Sequence, residues 1–319
     1  MTCYWPSQLA MYENDREDFF RRLDGVIQAA EDYGIGLIPS LFWAYFAVPD
    51  LVGEPINQWG NPNSKTIALM RRYTRDIVSR YKDSPAIWAW EFGNEYSLQA
   101  DLPNAADWRP PIVPELGTPL TRGPEDDLTT DRIVTAFKEF ATVVRSIDPT
   151  RPITTGNSIP RNFAEDIRSG NRWSELDTRA DFKANISLVT PFPHDMVSIH
   201  LYPGEVLAER FEPGYHASYS ELISLAMEVS VQEGKALFVG EFGANDITQG
   251  GAEEAARIIQ EILDALVENG VPLAAIWVYD RVVTDDEATQ GWNIIASNSR
   301  SYILEAIREA NEAISVDSN

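Results

Sequence analysis

Cysteine occurs once, at Cys3, so no intrachain disulfide can form and a cysteine zinc site is ruled out. Histidine occurs three times, at His194, His200 and His216. Neither His-x-His nor His-Glu-x-x-His spacing is present, which disfavours a metal-dependent hydrolase. No metal or other cofactor is expected. Positive charge is scarce: 26 Lys and Arg stand against 49 Asp and Glu, for a net charge of −23. Nucleic-acid binders need a basic face, so a nucleic-acid partner is disfavoured, and an anionic membrane surface with it. No apolar run reaches membrane-spanning length. The first residues, MTCYWPSQ, show neither a basic n-region nor an apolar h-region, so no signal peptide is expected in them. The lack of disulfides does not fix a compartment.

What is present is an ordinary folded composition, with 44% hydrophobic and 24% charged residues. A length of 319 residues suits one (β/α) barrel as well as two smaller domains. No composition break divides the chain, so one barrel domain over 1–319 is expected. Six short apolar runs recur, at 35–43 (IGLIPSLFW), 86–95 (AIWAWEFGNE), 152–157, 196–203 (MVSIHLYP), 236–244 (ALFVGEFGA) and 273–280 (LAAIWVYD). Each reads apolar on both faces, as buried parallel strands do. Helical patterns separate them, at 15–33, Lys65–Tyr81, Thr130–Ile147, Tyr219–Glu233, 252–269 and 302–313. Gly34 stops the first and Ser64 caps the second. Strand–helix alternation of this kind builds right-handed βαβ units. The fold class is therefore α/β, a (β/α)8 TIM barrel. A seventh strand stub at 1–5 leaves the count short, so the first strand and helix of such a barrel are expected to be missing from the N-terminus. Long loops at 46–63 and 96–129 follow strand C-terminal ends, where barrel enzymes place their sites.

Two strands end in carboxylates. Asn94 and Glu95 close the run Trp90-Glu91-Phe92-Gly93, and Glu241 lies between Gly240 and Phe242. A carboxyl walled by aromatics is desolvated and holds its proton, which suits a general acid. The plain alternative is a strand-end Glu paired with an Arg. Two such carboxylates on one sheet make the pair that glycoside hydrolysis needs. Period-two spacing puts His200 and Tyr202 on one face. Tyr202 suits a hydrogen bond to the nucleophile, and His200 one to the acid or a substrate hydroxyl. Trp277 ends the last run and offers a flat floor for a sugar ring, or else packs in the core. Glu91 is expected near the barrel floor, paired with a basic group. Asn157 and Asp280 are rim polar groups, and Trp59, Trp108 and Trp292 are further sugar platforms or loop anchors. Asn185-Ile186-Ser187 fits a glycosylation sequon that arises often by chance.

From residue 35 to Trp277, in order, these segments resemble the retaining (β/α)8 glycosidases of glycoside hydrolase family 5, the cellulases and β-mannanases. The resemblance implies that Glu95 is the acid/base, that Asn94 contacts the sugar 2-hydroxyl and that Glu241 is the nucleophile. It also implies that His200, Tyr202 and Trp277 line the substrate. Two family features are missing: an Arg at the end of strand two, where Tyr4-Trp5-Pro6 stands, and a His after strand three, where Ser40-Leu41-Phe42-Trp43 stands. The expected function is retaining hydrolysis of β-linked neutral glycans, of mannan or glucan type, with an oligo- or polysaccharide as partner. The alternative is a carbohydrate-binding relative without turnover.

Overall fold

The computed structural model describes residues 7–280 and 290–317. The stub at 1–5 and Tyr4-Trp5-Pro6 lie outside the described residues. Among these, six strands occur: β1 (Ser40–Phe42), β2 (Trp90–Gly93), β3 (Ile153–Thr154), β4 (Met196–Leu201), β5 (Ala236–Phe242) and β6 (Leu273–Ile276). Each falls inside one of the six apolar runs. Neighbours pair in parallel, in the orders β1-β2-β3 and β4-β5-β6. The two triplets meet at Asp195. Its N–H donates to the Ile153 carbonyl at 3.0 Å, and its carboxylate accepts from the Ile153 N–H at 2.9 Å.

Among the described residues are eleven α-helices: α1 (Ser7–Asn14), α2 (Arg16–Tyr33), α3 (Ala47–Val52), α4 (Lys65–Tyr81), α5 (Thr130–Ile147), α6 (Ala164–Arg168), α7 (Arg179–Leu188), α8 (Pro203–Leu207), α9 (Tyr219–Glu233), α10 (Ala252–Glu268) and α11 (Tyr302–Asp317). Their ends follow local chemistry. The Asp15 side chain accepts from the Asp18 N–H to start α2, and Gly34 closes it at φ +65°. Ser64 Oγ accepts from the Ile67 N–H at 3.0 Å to start α4. The helix α7 is not apparent from apolar spacing. A capping box between Thr178 and Asp181 opens it.

Alternation along the strands sorts side chains to two sides. Trp90 and Phe92 of β2 pack outward with Ile67, Met70, Phe137 and Phe140 of α4 and α5. Val197, Ile199 and Leu201 of β4 meet α9 and α10 in a second outer core. The inner face begins with an apolar layer of Ala89, Met196 and Phe238, packed by Ile38, Leu273 and Ala275. Central strands β2 and β4 are buried throughout, whereas β1 and β6 are only partly so. The expectation of burial on both faces thus fails at these two. The physical reason is that their outer edges meet no strand among the described residues. No described helix is long and apolar enough to cross a membrane.

One glycine fixes the geometry of the strand ends. Gly156 follows β3 at φ +71°, and a Cβ there would lie 1.9 Å from the Gly93 carbonyl oxygen. The Gly156 carbonyl accepts from the Glu95 N–H at 2.8 Å. Gly156→Ala combines a left-handed backbone with a backbone collision. It is expected to destabilise by at least about 2 kcal/mol in urea unfolding, and a loss below about 0.5 kcal/mol, ordinary for a neutral surface change, would contradict this packing.

Candidate active site

The site forms where β2, β4 and β5 end. Glu95 stands just past β2 at φ +53°, in the left-handed region that a side chain rarely adopts. Such a conformation costs about 1–3 kcal/mol and persists when its surroundings hold it. Here the Glu95 N–H donates to Gly156, and its carbonyl accepts from the Leu98 N–H at 2.9 Å. Glu95 Oε1 lies 2.9 Å from His200 Nδ1.

Glu241 reaches the same point by an irregularity. In the pairing of β4 with β5, Ile199 faces Val239 and His200 faces Glu241, so Gly240 is an extra residue. Strict alternation would place Glu241 with Leu237 and Val239, against the helices. The bulge turns it to the inner side instead. A side chain at 240 would put its Cβ 3.0 Å from His200 Nε2, so glycine lets the imidazole approach. Tyr202 OH donates to Glu241 Oε2 at 2.5 Å, and His200 Nδ1 lies 3.5 Å from the same oxygen. Donor atoms of Glu95, His200 and Glu241 all lie within 4.8 Å of one another. They are close enough to hold a cation. The Glu95 and His200 atoms already meet each other, and Glu241 accepts from the Tyr202 hydroxyl.

These groups open into a cavity of about 390 Å³ whose lining includes Trp43, Glu91, Asn94, His200, Glu241 and Trp277. Trp43 and Trp277 lie nearly parallel, with ring centroids 5.8 Å apart and planes 17° from each other. Trp292 sets its edge against Tyr202 at 5.3 Å. Burial raises the pKa of Glu241 and nearby Glu95 adds to the shift, while His200 and the Tyr202 hydrogen bond oppose it. Burial alone would lower His200. The hydrogen bond to Glu95 and the charges of Glu241, Glu95 and Glu91 outweigh it and raise its pKa. Burial pushes Glu91 up to about 7, against the pull of His200 and of the Ser40 hydroxyl.

All six residues proposed for the site from sequence therefore gather here: Asn94, Glu95, His200, Tyr202, Glu241 and Trp277. Other expectations need correction. Glu91 has no lysine or arginine ion pair among the described residues; it faces His200 in the cavity. Asn157 is 1% exposed and ties loops together. Its Oδ1 accepts from the Ser97 N–H, and its amide donates to the Val189 carbonyl. Trp59 is fully buried, and its indole N–H donates to the Tyr45 carbonyl, so it is core and no platform. Trp108 and Asp280 are exposed, away from the cavity lining. The Asn185 side chain is buried in α7, where its amide donates to the Asp181 carbonyl, so it is no surface acceptor for a glycan in the folded chain. Two features were missed. Trp43 had a signal, its place at the end of β1. Arg161, in a loop, and Glu205, in the short helix α8, are close enough to Glu95 to feel its charge, and no pattern marks them.

The family model described as cellulase (glycosyl hydrolase family 5) matches residues 1–281. The "Probable mannan endo-1,4-beta-mannosidase F" of Neosartorya fischeri is 28% identical over 207 residues, 63% of this chain and 38% of its own. The "Mannan endo-1,4-beta-mannosidase F" of Aspergillus clavatus is 32% identical over 173 residues, 52% of this chain and 33% of its own. The chain thus spans well under half the length of these curated relatives. The crystal structure of the endo-1,4-beta-mannanase from Rhizomucor miehei superposes with a TM-score of 0.65 at 18% identity, covering 95% of this chain and 78% of that one. With a family model matched over 281 residues and the fold shared, the chain belongs to the cellulase family, glycosyl hydrolase family 5.

Proposed function

We propose that the protein is a retaining glycoside hydrolase acting on β-1,4-linked mannan, with Glu241 as nucleophile and Glu95 as acid/base. The observation that supports it most is the spacing of the two carboxyls. Oxygens of Glu95 and Glu241 lie within 4.8 Å of each other. A retaining pair stands about 5–5.5 Å apart, whereas an inverting pair needs about 6.5–9.5 Å to admit a water. In the first step a Glu241 oxygen attacks the anomeric carbon while Glu95 gives its proton to the departing glycosidic oxygen. In the second, Glu95 takes a proton from water, the water oxygen attacks the same carbon, and Glu241 leaves as carboxylate. Tyr202 positions Glu241 and stabilises its negative form. Asn94 suits a hydrogen bond to a sugar hydroxyl, and Trp277 the apolar face of a pyranose ring. The choice of mannan over glucan rests on the relatives, which are named as mannan endo-1,4-beta-mannosidases. A neutral polysaccharide also suits a chain of net charge −23. In this reading the six strands are six of the eight of a (β/α)8 barrel, and further strands would pair at the outer edges of β1 and β6.

The direct test is a screen of mannan, glucan and xylan oligosaccharides, with the anomer of the first product read by proton NMR. Release of reducing ends from mannan with retained configuration is expected. An inverted product would remove the retaining mechanism, and tight binding without reducing ends would favour the carbohydrate-binding alternative. Glu241→Ala is expected to lower kcat by at least about 10³-fold on an activated aryl glycoside, the scale of losing a covalent nucleophile. An unchanged rate would reject its role. Tyr202→Phe removes a hydrogen bond that favours ionised Glu241, whose pKa then rises further. Activity is lost as pH falls through that value, so the acidic limb of kcat/KM is expected to move up by about one pH unit. A limb that stays in place, or moves down, would contradict the contact.

A further inference from the structure

Glu91 is a buried carboxyl for which the two-glutamate mechanism has no use. It is 9% exposed and sits on the inner face of β2, one layer beneath the catalytic groups. In register with it lie Ser40 of β1 and Thr154 of β3. Neither carries charge. A Cβ on Gly156 would fall 2.9 Å from its carboxyl carbon, so the bare glycine backbone makes room for the group. From β4 it faces His200 and from β5 it feels Glu241. The neighbouring strand β6 (LAAI) offers no titratable side chain. Among the described residues the cationic group near Glu91 is therefore the imidazole, which already meets Glu95 and Glu241 through Nδ1.

We propose that Glu91 is a positioning residue: it is the third carboxyl around one imidazole, and its charge from below holds the proton on His200 that Nδ1 presents to Glu95. The argument is electrostatic and geometric. His200 is 3% exposed, and burial by itself would strip its charge. Three carboxyls on three structural segments reverse that preference: Glu95 by a hydrogen bond, Glu241 at 3.5 Å and Glu91 through its field. Glu95 and Glu241 exchange charge during each turnover, because one gives up a proton while the other forms a bond to sugar. Glu91 takes part in neither step, so it is the constant member of the set. It keeps Nδ1–H directed at Glu95 while the other two change state. Its own ionisation near 7 sets the pH range over which this support comes in.

This inference rests on the two-glutamate reading, but its test needs no substrate. The chain has three histidines, so their ring resonances can be followed singly. His194 is buried against the Pro191 carbonyl with its pKa lowered to about 4, and His216 is exposed. In the free wild-type protein, His200 is expected to titrate above an ordinary histidine and to show a second inflection as Glu91 ionises. In Glu91→Gln its titration is expected to move to lower pH by about half a unit or more, and Glu91→Asp, which keeps the charge, is expected to restore it. On mannan oligosaccharides, Glu91→Gln should lose kcat on the alkaline side with KM unchanged. A wild-type His200 curve with one inflection, or a Gln variant whose curve superimposes on it, would overturn the proposal whatever sugar is cleaved. Should the Gln variant fail to fold, the wild-type curve alone decides.

Discussion

Two carboxyl oxygens held within 4.8 Å repel each other when both are ionised, by about 3 kcal/mol at an effective dielectric near 20. The surroundings hold that repulsion in check. A single imidazole lies between the two groups, a phenol donates to one of them, and a left-handed backbone residue holds the other in place. Each device is local, yet they come from two strand ends: the imidazole and the phenol from β4, the left-handed residue from β2. The outer cores of the fold serve to keep those ends in register. Phe92 buried against α5 and Val239 buried against α9 and α10 are in that sense part of the site.

The backbone at the strand ends bears an unusual share of this work. Glu95, Gly156 and Gly93 meet through main-chain contacts alone, and Gly240 yields its side-chain volume to His200. This layer is therefore set by what the glycines lack as much as by what the polar residues offer. Above it, Trp43 and Trp277 leave two roughly parallel indole rings at the cavity. Trp43 stands in the segment where the family resemblance led one to expect a histidine, so this wall is more apolar than the family pattern implies.

Much of this was legible in the sequence. Strand positions followed from apolar runs, and the order Asn94-Glu95, His200-x-Tyr202, Glu241, Trp277 marked the site. What was hidden has physical causes. The inward turn of Glu241 depends on a one-residue bulge, and alternation alone pointed the wrong way. The helix α7 has a weak apolar stripe and relies on its cap. Trp59 and Trp277 look alike as strings of letters, but one donates to a buried carbonyl and the other lines the cavity. Asn157 sits at a strand end like a ligand, yet its amide is consumed by two loops. Glu91 was placed correctly near the floor of the inner face. Its partner was not foreseen, because the nearest cation comes from a residue 109 positions later in the chain.

The extra residue in β5 has a consequence for how the chain can change over time. Loops such as 96–129 touch the strands only at their ends and tolerate insertions and deletions at small cost. The seven residues of β5 do not. A strand that kept Gly240 but paired it regularly with His200 would turn the acid at 241 out toward α9 and α10 and carry Phe242 inward in its place. In lineages descended from this chain the irregular pairing at Gly240 is thus under tighter constraint than the identity of most side chains of that strand.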